Sequence, residues 1–242
     1  MNSFAGHYTQ NLYPLQDGIL KIVQGLALPF YLTGGTALSR HYFAHRYSDD
    51  LDFFVNKDPD FSAHVAKIFA ALEARQDSGD FHIRHESVQK FDSFATVHVT
   101  APDGQNDLKI DLVNDIAPHY GGFEISPVLG RVDHWRNILS NKLGALLRFE
   151  PKDYADLWVI AGHRSFSWKD IVDEARTKEA GLDPVMLYDL MRSFPREMLT
   201  TIRWAIEVEP DAFLNDLHRL AKDLFFMRDN IGTENRGTLL TY

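Results

Sequence analysis

Apolar and polar positions follow two different periods along the chain. In the first part short β-rich runs recur: Phe30–Thr33, Leu51–Val55, Phe81–His85, Phe94–Thr100 and Leu108–Val113. Turn signals such as GG, KDPD, DSGD and APDGQND bound them. Helical spacing lies between some of the runs. Thr36 to His45 follows the glycines, and Asp60 to Ala74 places Phe61, Val65, Ile68, Phe69 and Leu72 on one stripe. This alternation predicts an α/β (α+β) domain, a mixed sheet with flanking helices. From about Asp133 the period becomes helical. HWRNILSNKLGALLRF, KDYADLWVIAGHR, WKDIVDEARTKEA, DPVMLYDLMRSF, PREMLTTIRWAIE and PDAFLNDLHRLAKDLFFMRDN all show it. Asp183-Pro184 and Pro210-Asp211 are helix starts by type. The Gly/Pro-rich stretch APHYGGFEISPVLGRVD is the expected boundary, giving a sheet domain over 1–130 and a mainly helical domain over 131–242.

Composition narrows the classes. A chain of 242 residues suits one large domain or two small ones, and 45% hydrophobic residues support a sizeable core. No cysteine is present, which excludes disulfides, zinc–thiolate sites and thiol catalysis. The first residues, MNSFAGHYTQNLYPLQDG, lack a basic region and a long apolar run, and no apolar segment is long enough to span a bilayer. The expectation is a soluble, cytoplasmic protein. A formal net charge of -9 opposes a dedicated nucleic-acid binder. The segment Arg131 to Lys169 is locally basic, however, and such a face could meet phosphate.

The chemistry concentrates in FYLTGGTALSRHYFAHRYSDDLDFFVN, residues 30–56. Gly34-Gly35-Thr36 stands where a strand gives way to a helix. Glycine allows close backbone approach, and a helix N-terminus offers free N–H groups to an anion. Thr36 adds a hydroxyl. Asp50 and Asp52 are two apart, so on a strand they share a face, while Leu51 and Phe53 point into the core. Paired carboxylates repel unless a cation or proton intervenes. Mg²⁺ or Mn²⁺ takes such oxygen ligands together with substrate phosphates. Asp49 is out of register and reads as a solvated or helix-end charge. In LKIDLVND, Asp111 is a mid-strand acid that needs a partner. It either completes a three-carboxylate cluster or pairs with Lys109 or Arg46.

Lys142 has Ile138, Leu139, Ala145 and Leu146 as its helical neighbours, so its ammonium also needs a partner. A triphosphate or the carboxylates would serve, and a snorkelling stem is the alternative. Asp153 and Asp156 lie one turn apart. Arg46 and Arg148 could contact phosphate or pair with these acids. His41 and His45 have zinc-compatible spacing but no HExxH motif, and read as packing or surface residues. Phe225, Phe226 and Met227 read as helix core; Asp173, Glu174 and Lys178 read as a solvated charged face.

The order strand, Gly-Gly-Thr, helix, Asp-x-Asp, distant strand Asp resembles nucleotidyltransferases of the polymerase-β type. GGTALSRHYFAHRYSDDLDFF is similar to the GGTxL…R-x-S/T-x-D-[LI]-D signature of the AbiEii family of toxin nucleotidyltransferases, which includes the MenT-like toxins. KLGALLRFEPKDYADLW resembles that family's downstream Lys…Arg…Lys-Asp-x-x-Asp-Leu segment. The resemblance implies that Asp50, Asp52 and Asp111 hold Mg²⁺ or Mn²⁺. It implies that Gly34, Gly35, Thr36, Arg46, Ser48 and Lys142 contact a nucleoside triphosphate, and that Lys142 and Asp153 join in catalysis, with the helical domain completing the site. It further implies transfer of a nucleotide to RNA, chiefly a tRNA 3′ end, by the toxin of a toxin–antitoxin pair. A small-molecule nucleotidyltransferase and a nucleotide-binding module without turnover are the alternatives.

Overall fold

The structure is a computed structural model that describes residues 4–76 and 78–232. It divides into two compact units. The first comprises Met1–Tyr42 and Tyr47–Asp133; the second comprises Phe43–Arg46 and His134–Tyr242.

The first unit opens with a helical turn α1 (Ala5–His7), a wide π turn (Tyr8–Leu12) and α2 (Tyr13–Gly25). Then come β1 (Tyr31–Thr33), α3 (Gly34–Ala37) with its π-helical continuation Leu38–Phe43, β2 (Leu51–Asn56) and α4 (Phe61–Gln76). The strands β3 (His82–Lys90), β4 (Phe94–Thr100), β5 (Asp107–Asp115), β6 (Glu124–Ser126) and β7 (Gly130–Val132) complete it. They form a seven-stranded mixed sheet in the order β3-β4-β5-β2-β1-β7-β6. The pairs β2·β5 and β1·β7 are parallel, and the others antiparallel. The centre is formed by the alternation the sequence carries. Leu51, Phe53 and Val55 of β2 and Leu108, Ile110 and Leu112 of β5 are buried, while the residues between them face the other side. The α4 stripe Phe61, Val65, Ile68, Phe69 and Leu72 is buried as its spacing requires.

Two elements of this unit go beyond the strands and helices that the sequence pattern predicts. The stretch expected to hold the domain boundary also contributes a hairpin, β6–β7, whose second strand joins β1. Helix α2 was not foreseen, although Leu15, Ile19, Leu20 and Val23 line its buried face with helical spacing.

The second unit contains α5 (Trp135–Ala145), a 3₁₀ turn (Leu146–Arg148), α6 (Pro151–His163), α7 (Trp168–Lys178), α8 (Pro184–Arg192), a second 3₁₀ turn (Arg196–Thr201) and α9 (Pro210–Phe225). Two-residue strands β8 (Phe166–Ser167) and β9 (Asp229–Asn230) pair with each other. The segment PREMLTTIRWAIE is not the helix its period suggested. Three consecutive β-branched residues, Thr200, Thr201 and Ile202, disfavour the helical turn. The backbone beyond them bonds elsewhere: Arg46 bridges to Trp204, and Ala205 N–H donates to the His45 carbonyl. Phe225 and Phe226 are 39% and 59% exposed, so they are not helix core. Glu174 and Lys178 are not a solvated face either. Glu174 accepts from Arg136 at 2.7 Å, and Lys178 donates to Asn137 and Asn141 at 2.6 Å each. Among the described residues no helix is long and apolar enough to cross a membrane.

Ile110 is fully buried at the middle of β5, next to the strand that carries Asp52. Ile110→Ala is expected to lower unfolding free energy by about 2–5 kcal/mol, measured by urea denaturation.

Candidate active site

In the first unit the acids meet through strand register. Parallel pairing sets Asp52 of β2 opposite Asp111 of β5, and antiparallel pairing sets Thr33 opposite Asp52 on the other side. Neighbouring strands run about 4.8 Å apart. Two carboxylates thus occupy adjacent positions on one sheet face, an arrangement that repels unless it is answered by positive charge. Lys109 gives part of the answer. It stands two residues before Asp111 on the same face, and its Nζ donates to Asp111 Oδ2 at 2.5 Å, while the Thr96 hydroxyl donates to Oδ1 at 2.6 Å. Burial works against the Lys109 ammonium. The Asp111 hydrogen bond and the charges of Asp111, Asp50 and Asp52 outweigh it and hold the lysine pKa above its usual value. Of the partners left open for Asp111, the structure supplies Lys109.

The Gly-Gly turn brings the backbone against Asp52. Gly34 has φ +69°, and a Cβ placed there would lie 2.5 Å from Asp52 Oδ2. Only glycine meets both conditions without strain. Thr36 is fully buried, and its hydroxyl donates to the Asp50 carbonyl at 2.5 Å. The hydroxyl expected to face a ligand instead ties the helix to the aspartate loop. Ser48 is buried, and its carbonyl accepts from Gln16. Asp49 is not a solvated charge: its carboxylate accepts from the Tyr8 hydroxyl. On the far side of β1, the Thr33 hydroxyl donates to Asp133 Oδ2 at 2.6 Å, and His119 Nε2 lies 2.9 Å from Oδ1 of the same carboxylate.

The donor set of Asp50, Asp52 and Asp111 is all oxygen, which suits a hard divalent cation. At Gly34 the backbone itself lies against Asp52 Oδ2, where any side chain would collide. Among the described residues, however, the three donors already drawn within 4.8 Å of one another are Asp58, Asp60 and His64. Asp58 and Asp60 lie on the loop from β2 into α4 and His64 in the first turn of α4, and Asn114 fixes the Asp58 backbone from both sides. The sequence reading missed this group, whose signal was the D-P-D-x-x-x-H spacing.

The second unit holds a separate buried charge cluster. Asp153 and Asp156 of α6 are both 0% exposed. Lys142 Nζ lies 2.6 Å from each. Arg46 grips Asp156 with Nε at 2.7 Å and a second nitrogen at 2.8 Å. His45 Nε2 sits 2.8 Å from Asp156 Oδ1, and Arg148 reaches Asp153 at 3.1 Å. Of the partners left open for Lys142 and Arg46, the structure supplies these acids, and in the first unit His41 Nε2 lies 2.7 Å from Glu124 Oε2. Burial opposes every charge here. It raises Asp156, but Arg46 and Lys142 overcome it and hold that carboxyl well below the usual range. Burial likewise lowers Lys142, but Asp156 and Asp153 outweigh it and keep its pKa high. For His45 burial wins over Asp156, and its pKa is lowered.

A mixed sheet with a Gly-Gly strand-to-helix turn against Asp-x-Asp and an opposed strand acid defines a nucleotidyltransferase-type fold. The chain belongs to the Nucleotidyl transferase AbiEii toxin family of Type IV TA (toxin–antitoxin) systems, which matches residues 19–223. It is thus a nucleotidyltransferase, and the family implies a nucleoside triphosphate substrate and a cognate antitoxin. Its fold is similar to that of JHP933 from Helicobacter pylori, with TM-score 0.53 and 21% identity over 88% of this chain and 92% of that one. A second H. pylori structure, provisionally assigned as a nucleotidyltransferase, is equally similar, with TM-score 0.53, 21% identity and coverage of 88% and 95%. The uncharacterized protein aq_aa25 of Aquifex aeolicus (strain VF5) is 24% identical over 176 residues, 69% of this chain and 75% of that protein.

Gly34→Ala is expected to cost about 1–3 kcal/mol in chemical denaturation, from left-handed backbone strain. The buried histidine gives a pH signature. Burial lowers the His45 pKa in the fold, whereas an unfolded histidine binds a proton near pH about 6.5. Its stabilisation is therefore present above that pH and is lost as pH falls below it. The loss is up to about 1.4 kcal/mol per pH unit from this residue. His45→Gln is expected to flatten the stability profile below about pH 6.5 relative to the natural chain, measured by denaturation across pH.

Proposed function

We propose that the first unit transfers a nucleoside monophosphate from a nucleoside triphosphate to an RNA hydroxyl, with a tRNA 3′ end as acceptor, and that this is the toxic activity. The observation that carries it is Asp52. Strand register sets it opposite Asp111, and Gly34 lets the strand-to-helix turn pack directly against its carboxylate. Asp50 and Asp52 are the residues that would hold Mg²⁺ or Mn²⁺, with Asp111 beside them. A divalent cation bound there would offset charge on the triphosphate and on the departing pyrophosphate. Backbone N–H groups at Gly34 and Gly35 approach the phosphates, aided by the helix end. The acceptor oxygen forms a bond to the α-phosphorus as the bond to the β-phosphate oxygen breaks, pyrophosphate leaves, and a carboxylate of the cluster takes the hydroxyl proton. Positioning and charge stabilisation carry most such reactions. Lys142 and Asp153 enter through the family motif. A phosphate contact by Lys142 requires its ammonium to leave Asp153 and Asp156.

The test mixes the protein with Mg²⁺, each α-labelled nucleotide and total tRNA. Label on tRNA that disappears in Asp50→Asn and in Asp52→Asn, both still folded, is expected. Retained labelling in a folded Asp50→Asn/Asp52→Asn variant would overturn the assignment. Label on small hydroxyl compounds but not on RNA would favour the small-acceptor reading, which the -9 net charge also favours.

A further inference from the structure

The segment Tyr47–Asp50, which leads into the proposed cation ligands, belongs to no helix or strand. Its backbone carbonyls need partners from elsewhere. Three successive ones find them. Gln16 is fully buried on α2, and its Nε2 donates to the Ser48 carbonyl at 3.0 Å and to the Asp49 carbonyl at 3.3 Å. Thr36 takes the Asp50 carbonyl from the opposite side. The Gln16 amide is itself oriented. Its Oε1 accepts from Arg40 at 3.0 Å, and Arg40 in turn pairs with Asp17 at 2.6 Å and covers the Tyr13 ring at 4.4 Å. With the acceptor end fixed by a guanidinium, the donor end is left for the carbonyls.

Tyr8 adds a second hold. It is fully buried on the π turn before α2, stacks on Tyr47 with ring centroids 4.3 Å apart and 14° between planes, and donates its hydroxyl to the Asp49 carboxylate. Three aspartates fall within four positions here, and a cation site needs a defined subset of them. Tyr8 engages the one whose register is wrong. Neither Tyr8 nor Gln16 falls within the residues matched by the family, which begin at 19.

We propose that Tyr8 and Gln16 are positioning residues for nucleotidyl transfer. Together they fix the Ser48–Asp50 backbone and withhold Asp49, so that Asp50 and Asp52 present a defined two-carboxylate site to a divalent cation. The inference rests on the cation reading given under Proposed function.

Calorimetric titration with Mn²⁺, without nucleotide, separates the two. The full chain, Asp52→Asn, Gln16→Met and Tyr8→Phe are titrated, and each variant's thermal unfolding is recorded. The component of Mn²⁺ binding lost in Asp52→Asn defines the site and sets aside binding at Asp58, Asp60 and His64. In Gln16→Met that component is expected to weaken by about tenfold, the scale of lost outer-shell support, with the melting temperature near that of the natural chain. Asp49→Asn is expected to leave it unchanged in the natural background and to alter it in Tyr8→Phe. Unchanged Asp52-dependent affinity in folded Gln16→Met, or a weakening that only tracks lost stability, would overturn the role of Gln16. If Gln16→Met does not fold, Tyr8→Phe carries the test, since it removes one oxygen. Absence of coupling between Tyr8 and Asp49 would overturn it there. Absence of any Asp52-dependent binding in the natural chain would remove the cation reading itself.

Discussion

Register places two carboxylates on neighbouring strands at the same height, and much of the first unit is arranged around that repulsion. Asp52 and Asp111 are held opposite each other by a parallel β2·β5 pair whose other face is the apolar core of Leu51, Phe53, Ile110 and Leu112. A slip of one residue would turn those four side chains out to the polar face, so the core enforces the proximity of the acids. Lys109 and Thr96 satisfy Asp111. Asp52 faces the glycine turn, where a larger residue would collide with its carboxylate. Folding energy stored in apolar packing thereby keeps negative charge concentrated at one point of the sheet.

The second unit treats charge differently. Lys142, Arg46, Asp153 and Asp156 are buried together, and each charge has at least one opposite partner within hydrogen-bond distance. Desolvation of such ions is costly, and removing one partner from a buried set strands the rest. This cluster thus ties the short segment Phe43–Arg46 to α5 and α6 within that unit. Asp153 and Asp156 are here a folding element.

Much of the sheet was legible in the chain because its strands are half-buried and alternate cleanly, as Leu51–Val55 and Leu108–Val113 do. The β6–β7 hairpin was not, because three-residue strands with exposed Ile125 and several glycines carry no period-2 signal. The residues 195–207 misled because periodicity says nothing of a backbone bridge to Arg46. At the site, the strand spacing predicted that Asp111 would come beside Asp52, and the β2·β5 register places them opposite each other. The partners were hidden, because Lys142 with Asp153 and Asp156, and Tyr8 with Asp49, are set by tertiary packing between distant positions. The reading of Asp49 as solvated and of Glu174 and Lys178 as a free face failed for the same reason.

Among the described residues, the proposed cation ligands Asp50 and Asp52 lie beside the glycine turn, and the group Asp58, Asp60 and His64 lies beyond the other end of β2. The proposed transfer needs the first. The most direct measurement is a crystal structure of the protein grown with Mn²⁺ and a triphosphate analogue that cannot be cleaved between the α- and β-phosphorus. The account predicts an anomalous scattering peak between the Asp50 and Asp52 carboxylates, in contact with triphosphate oxygens that lie against Gly34 and Gly35. A peak confined to Asp58, Asp60 and His64, with the nucleotide away from the glycine turn, would contradict it.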